Sequence, residues 1–327
     1  MPALFPFARP LTDWSRLSES GRSRVPFRTR HFCYGGAVTA QAPQDRPFDR
    51  ALRRQRRDRA AHGTQDARYL HHRAADEVLA RLDHVTRDFS DALDLGCSDS
   101  WLGERLRARG LDVISADAGQ VFASAANGVQ CDEDRLPFGD AAFDLIVSVG
   151  VLDTVNDLPG ALHLIRRALR PDGLFLAAFA GAGSLPRLRA AMRAADEAEG
   201  WGAAARLHPQ IDVRAAGDLL GRAGFALPVA DLDGVTVRFS SFPALVRDLR
   251  GMAATNILAE RPTRPFGKLG LAAAMARFAA DADPDGKTAE RFETIHMSGW
   301  APAPGQPQPA RRGSGTASLA AALKPKA

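Results

Sequence analysis

The sequence predicts an α/β fold in which a Rossmann-like, doubly wound sheet of seven mostly parallel strands carries helices on both faces. Two observations lead to this fold class. Short apolar runs alternate with helical patterns from about residue 70 onward, which is the pattern of a parallel sheet with crossover helices. One of these runs, FDLIVSVGVL, is almost continuously apolar, as is typical of a central strand that is buried on both faces.

The elements of the first half can be placed in order. Helices are expected over 49–61 and 69–85, and the apolar run DALDLGC then predicts a buried strand. A helix in SWLGERLRARG ends at Gly110, a residue suited to a helix C-terminus. Further strands are expected in DVISADA, in GVQCDEDRLPF up to about Cys131, and in FDLIVSVGVL and GLFLAAFA, with the helix LPGALHLIRRALRPDG between the last two.

The second half is less regular and is expected to add helices and the last strands. Helical patterns occur in LPRLRAAMRAADEAEG, AAGDLLGRAGF, PALVRDLRGMAATN and KLGLAAAMARFAADA. ALPVADLDGVTVRFS is interpreted as a strand, a turn and a second strand, and FETIHMSGW as the final strand. The predicted organisation is a disordered or targeting-like extension (1–45), a domain (46–300) with its core at 70–180 and helical insertions within 184–290, and a flexible tail (301–327).

The extension 1–45 is rich in Arg, Ser and Pro and contains only three acidic residues. This composition suits an organellar transit peptide, a disordered tail or a start codon placed too early, and the sequence does not separate the three. The cytoplasm of a bacterium is our default location, and the mitochondrial matrix is the alternative. Charges interrupt the apolar runs well short of about 18 residues, so no transmembrane segment is expected.

The formal net charge is +5, and the basic excess is concentrated in RPFDRALRRQRRDR at 46–59, which has seven Arg against two Asp. Such a run can bind nucleic acid or an acidic protein, and it can equally form a solvated helix face or fold against the core. Charges are mixed elsewhere, so no nucleic-acid partner is expected. The cysteines, Cys33, Cys97 and Cys131, lack zinc-ligand spacing, so we expect a reducing compartment and no bound metal.

The stretch DLGCSDSW, residues 94–101, is the first candidate site. Open α/β sheets bind ligands at the carboxyl ends of strands, and this loop follows the first one. Gly96 allows a tight turn and a close ligand, but the next two positions that are usually glycine hold Ser98 and Ser100. A serine that needs a positive φ costs on the order of 1–2 kcal/mol. If it does not, its hydroxyl could hydrogen-bond a cofactor carboxylate, so the loop is predicted to be weakened rather than abolished.

Acidic residues follow the next two strands. Asp117 ends the second predicted strand, in VISADA, 21 residues after Gly96, and an acid near that offset hydrogen-bonds a ribose hydroxyl in nucleotide-binding Rossmann units. Asp132 and Glu133 lie at the mouth of the third strand, where a carboxylate can accept a hydrogen bond from an adenine amino group. Each acid could instead be a helix cap or a solvated loop residue. Together with Gly96, the nucleoside role is favoured for Asp117.

These segments, from DALDLGC through CDEDRLPFGDAAFDLIVSVGVL to LRPDGLFLAAF, resemble a class I S-adenosylmethionine-dependent methyltransferase domain over about residues 70–180. The resemblance implies S-adenosylmethionine as the cofactor. Carried over, Gly96 would contact its methionine part, Asp117 its ribose and Asp132 its adenine. The full set of implied cofactor-binding residues is Asp94, Gly96, Ser98, Ser100, Asp117, Asp132 and Glu133.

Segments outside that core, among them FDRALRRQRRDRAA, LVRDLRGMAATN and FETIHMSGWAP, look like the complex I assembly factor 5 family. This methyltransferase-like group has bacterial and mitochondrial members, and the matches span about residues 46–318. The resemblance implies a protein client, a complex I subunit, because the mitochondrial member is regarded as hydroxylating an arginine there. The residues themselves give no account of hydroxylation, since neither a facial-triad spacing nor a flavin signature is present.

Three pocket segments depart from that family's pattern. The first loop has Ser98 and Ser100 where the family usually reads DLGCGTG, LDTVND replaces LHWVND or LQWVND, and AGAGSLPRLR replaces a Gly-Gly-Glu-Thr stretch. In LDTVND, Asp153 is a weak candidate for a base or for a cation site, with a helix cap as the alternative. His208, in RLHPQIDV, is a second weak catalytic candidate on a loop that could face the pocket.

Two functions of different classes stay open. In the first, the chain is an enzyme that binds S-adenosylmethionine and modifies a protein or small molecule, as Gly96, Asp117 and Asp132 favour. In the second, it is a non-catalytic assembly module that kept the fold and holds a client, as the serines favour. A carrier-protein O-methyltransferase is a third interpretation. A crevice filled by Ser98, Ser100 or Trp101 would leave only the module.

Overall fold

The structure is a computed structural model, and it describes residues 46–202, 204–307 and 314. The predicted extension 1–45, with Cys33, and most of the predicted tail 301–327 lie outside the described residues. No helix within the described ranges is long and apolar enough to cross a membrane.

One sheet contains the strands β1 (Asp91–Leu95), β2 (Asp112–Asp117), β3 (Val129–Gln130), β4 (Phe143–Val149), β5 (Leu169–Ala180), β6 (Ala226–Phe239) and β7 (Thr288–Trp300). Their order is β3-β2-β1-β4-β5-β7-β6. The pairs from β3 to β5 are parallel, and β7 runs antiparallel to β5 and β6. The predicted seven-stranded, mostly parallel α/β fold is therefore confirmed. The strand order reverses between β1 and β4, so their carboxyl ends border the usual ligand crevice.

The helices are α1 (Arg50–Ala61), α2 (Tyr69–Asp83), α3 (Trp101–Ala108), α4 (Gln120–Ala125), α5 (Leu158–Ala168), α6 (Pro186–Ala198), α7 (Val213–Arg222), α8 (Phe242–Gly251) and α9 (Lys268–Ala279). Side-chain caps fix several of the helix starts. Asp49 accepts from the amide of Leu52 at the start of α1, and Asp157 accepts from that of Gly160 at the start of α5.

Apolar clusters cover both faces of the sheet. On one face, α2 and α3 pack through side chains such as Leu79 and Leu106 against the strands. On the other face, α5 and α7 pack through Leu162 and Leu220. A third cluster joins α6, α8 and α9 with the ends of β6 and β7, and it includes Leu245. These inserted helices form a wall beside the carboxyl ends of β4 and β5.

One sequence expectation, the strand–turn–strand in ALPVADLDGVTVRFS, is wrong. β6 runs unbroken for 14 residues and pairs with β7 from Ala226 to Phe239. Asp-Gly is a common turn dipeptide, but two ion pairs hold this part of the strand against α2. Asp231 pairs with Arg81, and Asp233 pairs with Arg73. The long partner strand and these pairs together keep the backbone extended.

Candidate functional site

The structure places the predicted site residues around one crevice. Asp94 and Gly96 lie at the end of β1, Asp117 ends β2, and Asp132 with Glu133 follows β3. These strands are neighbours in the sheet, so their carboxyl ends meet at one edge. The same edge receives the end of β4 and a short turn over Leu152–Thr154 that carries the candidate base.

The first loop has the shape of a glycine loop although two of its residues are serines. Gly96 has φ 88°, and a Cβ atom there would lie 2.6 Å from the methyl groups of Val151. Ser98 and Ser100 have φ 46° and 67°, so both serines adopt the left-handed region that favours glycine. Both serines therefore carry the energetic cost of a positive φ, on the order of 1–2 kcal/mol each.

Trp101 packs against α2 beside the first loop. Its ring stacks on His72 of α2 with the ring centroids 4.1 Å apart, and its indole nitrogen donates to Asp76 at 3.3 Å. Asp99 holds the loop to the same helix, because its Oδ2 lies 2.7 Å from Nε2 of His72. Neither Trp101 nor the loop serines occupy the nucleoside end of the crevice.

The nucleoside end is occupied by Arg57 of α1. Its Nε donates to Oδ1 of Asp117 at 2.6 Å, and its Nη2 donates to Oδ2 at 2.5 Å. The amides of Gly119 and Ser98 also donate to Asp117, at 2.7 and 3.1 Å. A carboxylate has about four acceptor positions, so all of those on Asp117 are in use.

The other acids of the crevice are paired with the same helix. Arg53 donates from both terminal nitrogens to Glu133, at 2.7 and 2.8 Å. Arg54 donates to Asp132 at 2.6 Å, and Arg50 lies 3.1 Å from the same carboxylate oxygen. Burial alone would raise the pKa of Asp132, but the two arginines outweigh it and lower the pKa. Oδ1 of Asp132 is buried and has no hydrogen-bond partner.

The basic run therefore folds against the core, and its interpretation as a solvated helix face is wrong for the buried Arg53 and Arg57. Positions 50, 53, 54 and 57 lie on one side of a helix, a spacing visible in the sequence. Sequence reasoning nevertheless missed them as site residues. The acids that they pair with are 60 to 84 residues away in the chain, and only the fold shows the pairing.

Little room is left beside the first loop. The cavity there, bordered by Gly96, Ser98 and His71, measures about 20 Å³. A water molecule needs at least about 10–15 Å³, so this cavity holds roughly one water. His71 contributes to the closure, because a Cβ atom on Gly150 would lie 2.7 Å from its Nε2.

Asp94 is an unusual member of the site. Its side chain is buried, the residue being 1% exposed, and its Oδ2 has no hydrogen-bond partner. Burial, and to a smaller extent the neighbouring charge of Asp117, raises its pKa to about 7. Asp94 is therefore close to half protonated near neutral pH.

Asp153 lies between the crevice and the inserted helices. It is not a helix cap, since Asp157 caps α5. Burial raises its pKa to about 6, although Arg53 and Arg57 act in the opposite direction. A carboxyl with this pKa can exchange a proton near neutral pH, which is what the candidate base requires.

His208 faces the pocket region but has a structural contact. Its Nε2 accepts a hydrogen bond from the amide of Ile257 at 3.0 Å, and its ring packs edge-on against Phe48 at 5.2 Å. Burial lowers its pKa to about 4, so the ring is neutral at pH 7. The contact to Ile257 uses the nitrogen lone pair that a general base would need.

Two adjoining cavities extend from Asp153 toward the inserted helices. The smaller one, about 110 Å³, borders Arg53 and Arg57. The larger one, about 520 Å³, is walled mainly by apolar side chains. These include Leu188, Met192, Leu207, Phe242, Val246 and Phe266. Asp153, Leu185 and Leu249 line both cavities, so the two meet at these side chains.

The fold and its first loop define the class of protein. A family model described as a methyltransferase domain matches residues 93–177. The seven-stranded sheet and this match make the chain a member of the class I S-adenosylmethionine-dependent methyltransferase superfamily.

Sequence identity to known proteins shows which family within this superfamily the chain belongs to. The chain is 34% identical to the mitochondrial arginine-hydroxylase NDUFAF5 of Danio rerio over 84% of this chain and 88% of that protein. It is 32% identical to the Homo sapiens protein over 83% and 82%. The protein belongs to the NDUFAF5 family. It is also 31% identical to a malonyl-[acyl-carrier protein] O-methyltransferase of Xylella fastidiosa over 78% and 89%. Among solved structures, YcgJ of Bacillus subtilis has a TM-score of 0.49 at 14% identity, over 71% of this chain and 100% of that chain.

S-adenosylmethionine is the usual cofactor of this superfamily, and the residue types that would hold it are present. In this arrangement, however, the cofactor does not fit. Asp117 is saturated, Arg53 occupies both oxygens of Glu133, and the space at the first loop holds one water. Arginines of α1 occupy the acids and His71 of α2 narrows the space at the first loop, whereas the serines change only the backbone energy of the loop.

Proposed function

We propose that this protein binds S-adenosylmethionine and modifies a substrate whose apolar part occupies the larger cavity, and that this substrate is a protein client in respiratory complex I assembly. The observation that carries the proposal is that the larger cavity adjoins the smaller one at the edge of the crevice. Asp153, Leu185 and Leu249 line both, so a group that enters from the inserted helices reaches the crevice edge.

The larger cavity has the dimensions of a small-molecule site. Its volume of about 520 Å³ falls within the roughly 300–1,000 Å³ of ordinary ligand pockets. Apolar walls and few polar groups favour a chain with an apolar stem and a polar end. At the inner end, the carboxyl of Asp153 could accept a proton from that polar end or bind it as a cation.

The family supports a protein client. Relatives named arginine-hydroxylase NDUFAF5 match over more than four fifths of their length, and an arginine side chain has an apolar stem and a polar end. A malonyl group on a carrier protein has a similar outline, and the O-methyltransferase relatives support it as the second candidate. The mitochondrial relatives also support the matrix as an alternative to the proposed bacterial cytoplasm.

A bulky side chain at a residue that lines both cavities tests whether the substrate occupies the larger cavity. Ala254 is exposed, lines both cavities, and would fill their junction as tryptophan. After deletion of the gene in its own host, wild type should restore the amount of assembled complex I on native gels, and Ala254→Trp should not. Ala272→Trp, on an exposed face of α9 outside the cavity lining, should restore it. Full rescue by Ala254→Trp would show that the cavity is not used.

Methyl transfer is tested with S-adenosylmethionine that carries a tritiated methyl group. Label on a complex I subunit would support the proposal, and label on malonyl-loaded carrier protein would replace it by the second candidate. If neither is labelled while the wild-type gene still restores complex I, the protein does not act by methyl transfer, and mass spectrometry of the complex I subunits for a hydroxylated arginine separates a hydroxylase from a non-catalytic assembly module.

A further inference from the structure

We propose that α1 is a latch over the nucleoside crevice, which must leave its seat before S-adenosylmethionine binds. The latch is residues Arg50–Ala61, and the seat is the group of acids at the ends of β2 and β3. This inference rests on the proposed function that the protein binds the cofactor. It adds that binding and movement of α1 are coupled.

Arg57 excludes the ribose directly. A ribose hydroxyl can donate to Asp117 only if an existing donor leaves, because four donors already use the carboxylate. The amides of Gly119 and Ser98 are fixed by the turns after β2 and β1. The other two donors, Nε and Nη2 of Arg57, belong to a separate helix, so they are the ones that can be displaced.

The whole face of α1 is fitted to this seat. The backbone after β2 approaches the helix so closely that a Cβ atom on Gly119 would lie 2.8 Å from Cβ of Arg57. The amide of Val121 donates to Asp58 at 2.9 Å, and the backbone of Phe48 exchanges two hydrogen bonds with Asn156.

The contacts between α1 and the acids of the seat are of a kind that allows the helix to leave. The buried residues of α1 are Arg53, Arg57 and Ala60, and Leu52 packs against a small apolar cluster, so charged pairs supply most of the contacts between the helix and the acids of the seat. Water can solvate the freed guanidinium groups, and the ligand's hydroxyl and amino groups can replace them on the acids. After α1, residues 62–64 are exposed and can change conformation without disturbing the core.

Two variants loosen the latch without removing a predicted cofactor contact. Gly119→Ala adds a methyl group against Arg57 and keeps every charge, and its φ of −78° suits alanine. Arg50→Ala removes the ion pairs with Asp134 and Asp132 at the other end of the helix and leaves both acids in place. Each should lower the apparent Kd for S-adenosylmethionine by calorimetry about tenfold or more, because a larger fraction of the protein is open. Arg59→Ala, on the exposed side of α1, is the matched control and should leave the Kd unchanged.

Hydrogen exchange gives a second measurement. With S-adenosylhomocysteine as the probe, amides of residues 50–61 should exchange faster in the bound wild-type protein than in the free protein. Slower exchange there, or unchanged affinity in both loosened variants while wild type binds, would overturn the latch and leave cofactor binding intact. Absence of binding in wild type and in all three variants would overturn the proposed cofactor, and the latch with it.

Discussion

Arg57 of α1 and Asp117 of β2 form a two-point ion pair in the protein interior, with side-chain exposures of 6% and 0%. The position that the sequence assigns to a ribose is thus held by a residue of the same chain. Two charges that are removed from water in this way depend on each other, because either alone would be buried without compensation. The pair therefore links the stability of the fold to the state of the crevice.

The first prediction concerns the loss of one partner of the Arg57–Asp117 ion pair. Asp117→Ala should lower the free energy of unfolding by about 3–5 kcal/mol, since it leaves the Arg57 guanidinium buried and uncompensated. Urea denaturation measures this change. The double variant Arg57→Met, Asp117→Leu should recover the part of the loss that comes from the unpaired guanidinium, and not the part that comes from the amides of Gly119 and Ser98, which still lack their acceptor. As a control, Arg81→Ala breaks the more exposed pair with Asp231 and should cost about 1 kcal/mol or less.

The same variants test the ribose assignment. Asp117→Ala should remove any binding of S-adenosylmethionine, and the stable double variant should not bind it either. Loss of binding in a well-folded double variant excludes unfolding as the cause. Unchanged affinity in that variant would refute the role of Asp117.

The second prediction concerns the loop serines. Ser98→Gly and Ser100→Gly should each raise the free energy of unfolding by roughly 1 kcal/mol, because glycine removes the left-handed penalty and loses part of the gain as chain entropy. Thermal and urea unfolding measure the effect. Ser124→Gly, in the exposed part of α4, is the control and should destabilise by about 0.5–1 kcal/mol. Equal effects at the three sites would contradict the backbone argument.

The sheet could be predicted from sequence because its signals are local. Buried parallel strands such as β4 are short apolar runs, and α5 has a side-chain cap at Asp157 and an apolar stripe. β6 was harder, since its apolar pattern is weak and its extended form depends on β7 and on the pair of Asp231 with Arg81. Strand formation there is decided by distant partners.

The candidate site was predictable only in part, for the same reason. Gly96 and Asp117 follow their strands directly, so local pattern places them at the crevice. The use of that crevice by Arg57 depends on a contact across 60 residues of chain. A basic run on a helix has the same sequence pattern whether its partners are water, another molecule or the chain's own acids.

The third prediction uses the raised pKa of Asp94. Burial raises this pKa to about 7, far above the value of about 3.9 in an unfolded chain, so the folded state holds the proton more tightly. Stability from this group is complete below about pH 4 and is lost as pH rises toward 7. Asp94→Asn resembles the protonated acid and should be more stable than wild type at pH 8, by an order of 2–4 kcal/mol.

Urea unfolding of Asp94→Asn and wild type at pH 4.5, 6 and 8 measures how the stability difference between them depends on pH. The difference between the two proteins should grow across that range. Asp112→Asn is the control, because Asp112 is exposed at the other end of a neighbouring strand. A difference for Asp94→Asn that stays constant with pH would contradict the raised pKa.

The fourth prediction separates a structural from a catalytic role for His208. His208→Ala should cost about 1–3 kcal/mol, because the amide of Ile257 loses its acceptor in a partly buried place. The folded pKa of about 4 lies below the unfolded value of about 6.5, so His208 lowers stability as pH falls through that interval. The variant should therefore lose less stability than wild type between pH 6.5 and 4, and His163→Ala, on the exposed side of α5, should behave as wild type. If His208→Ala abolishes modification of the substrate while its urea midpoint stays at the wild-type value, the histidine acts in the chemistry and the structural role is wrong.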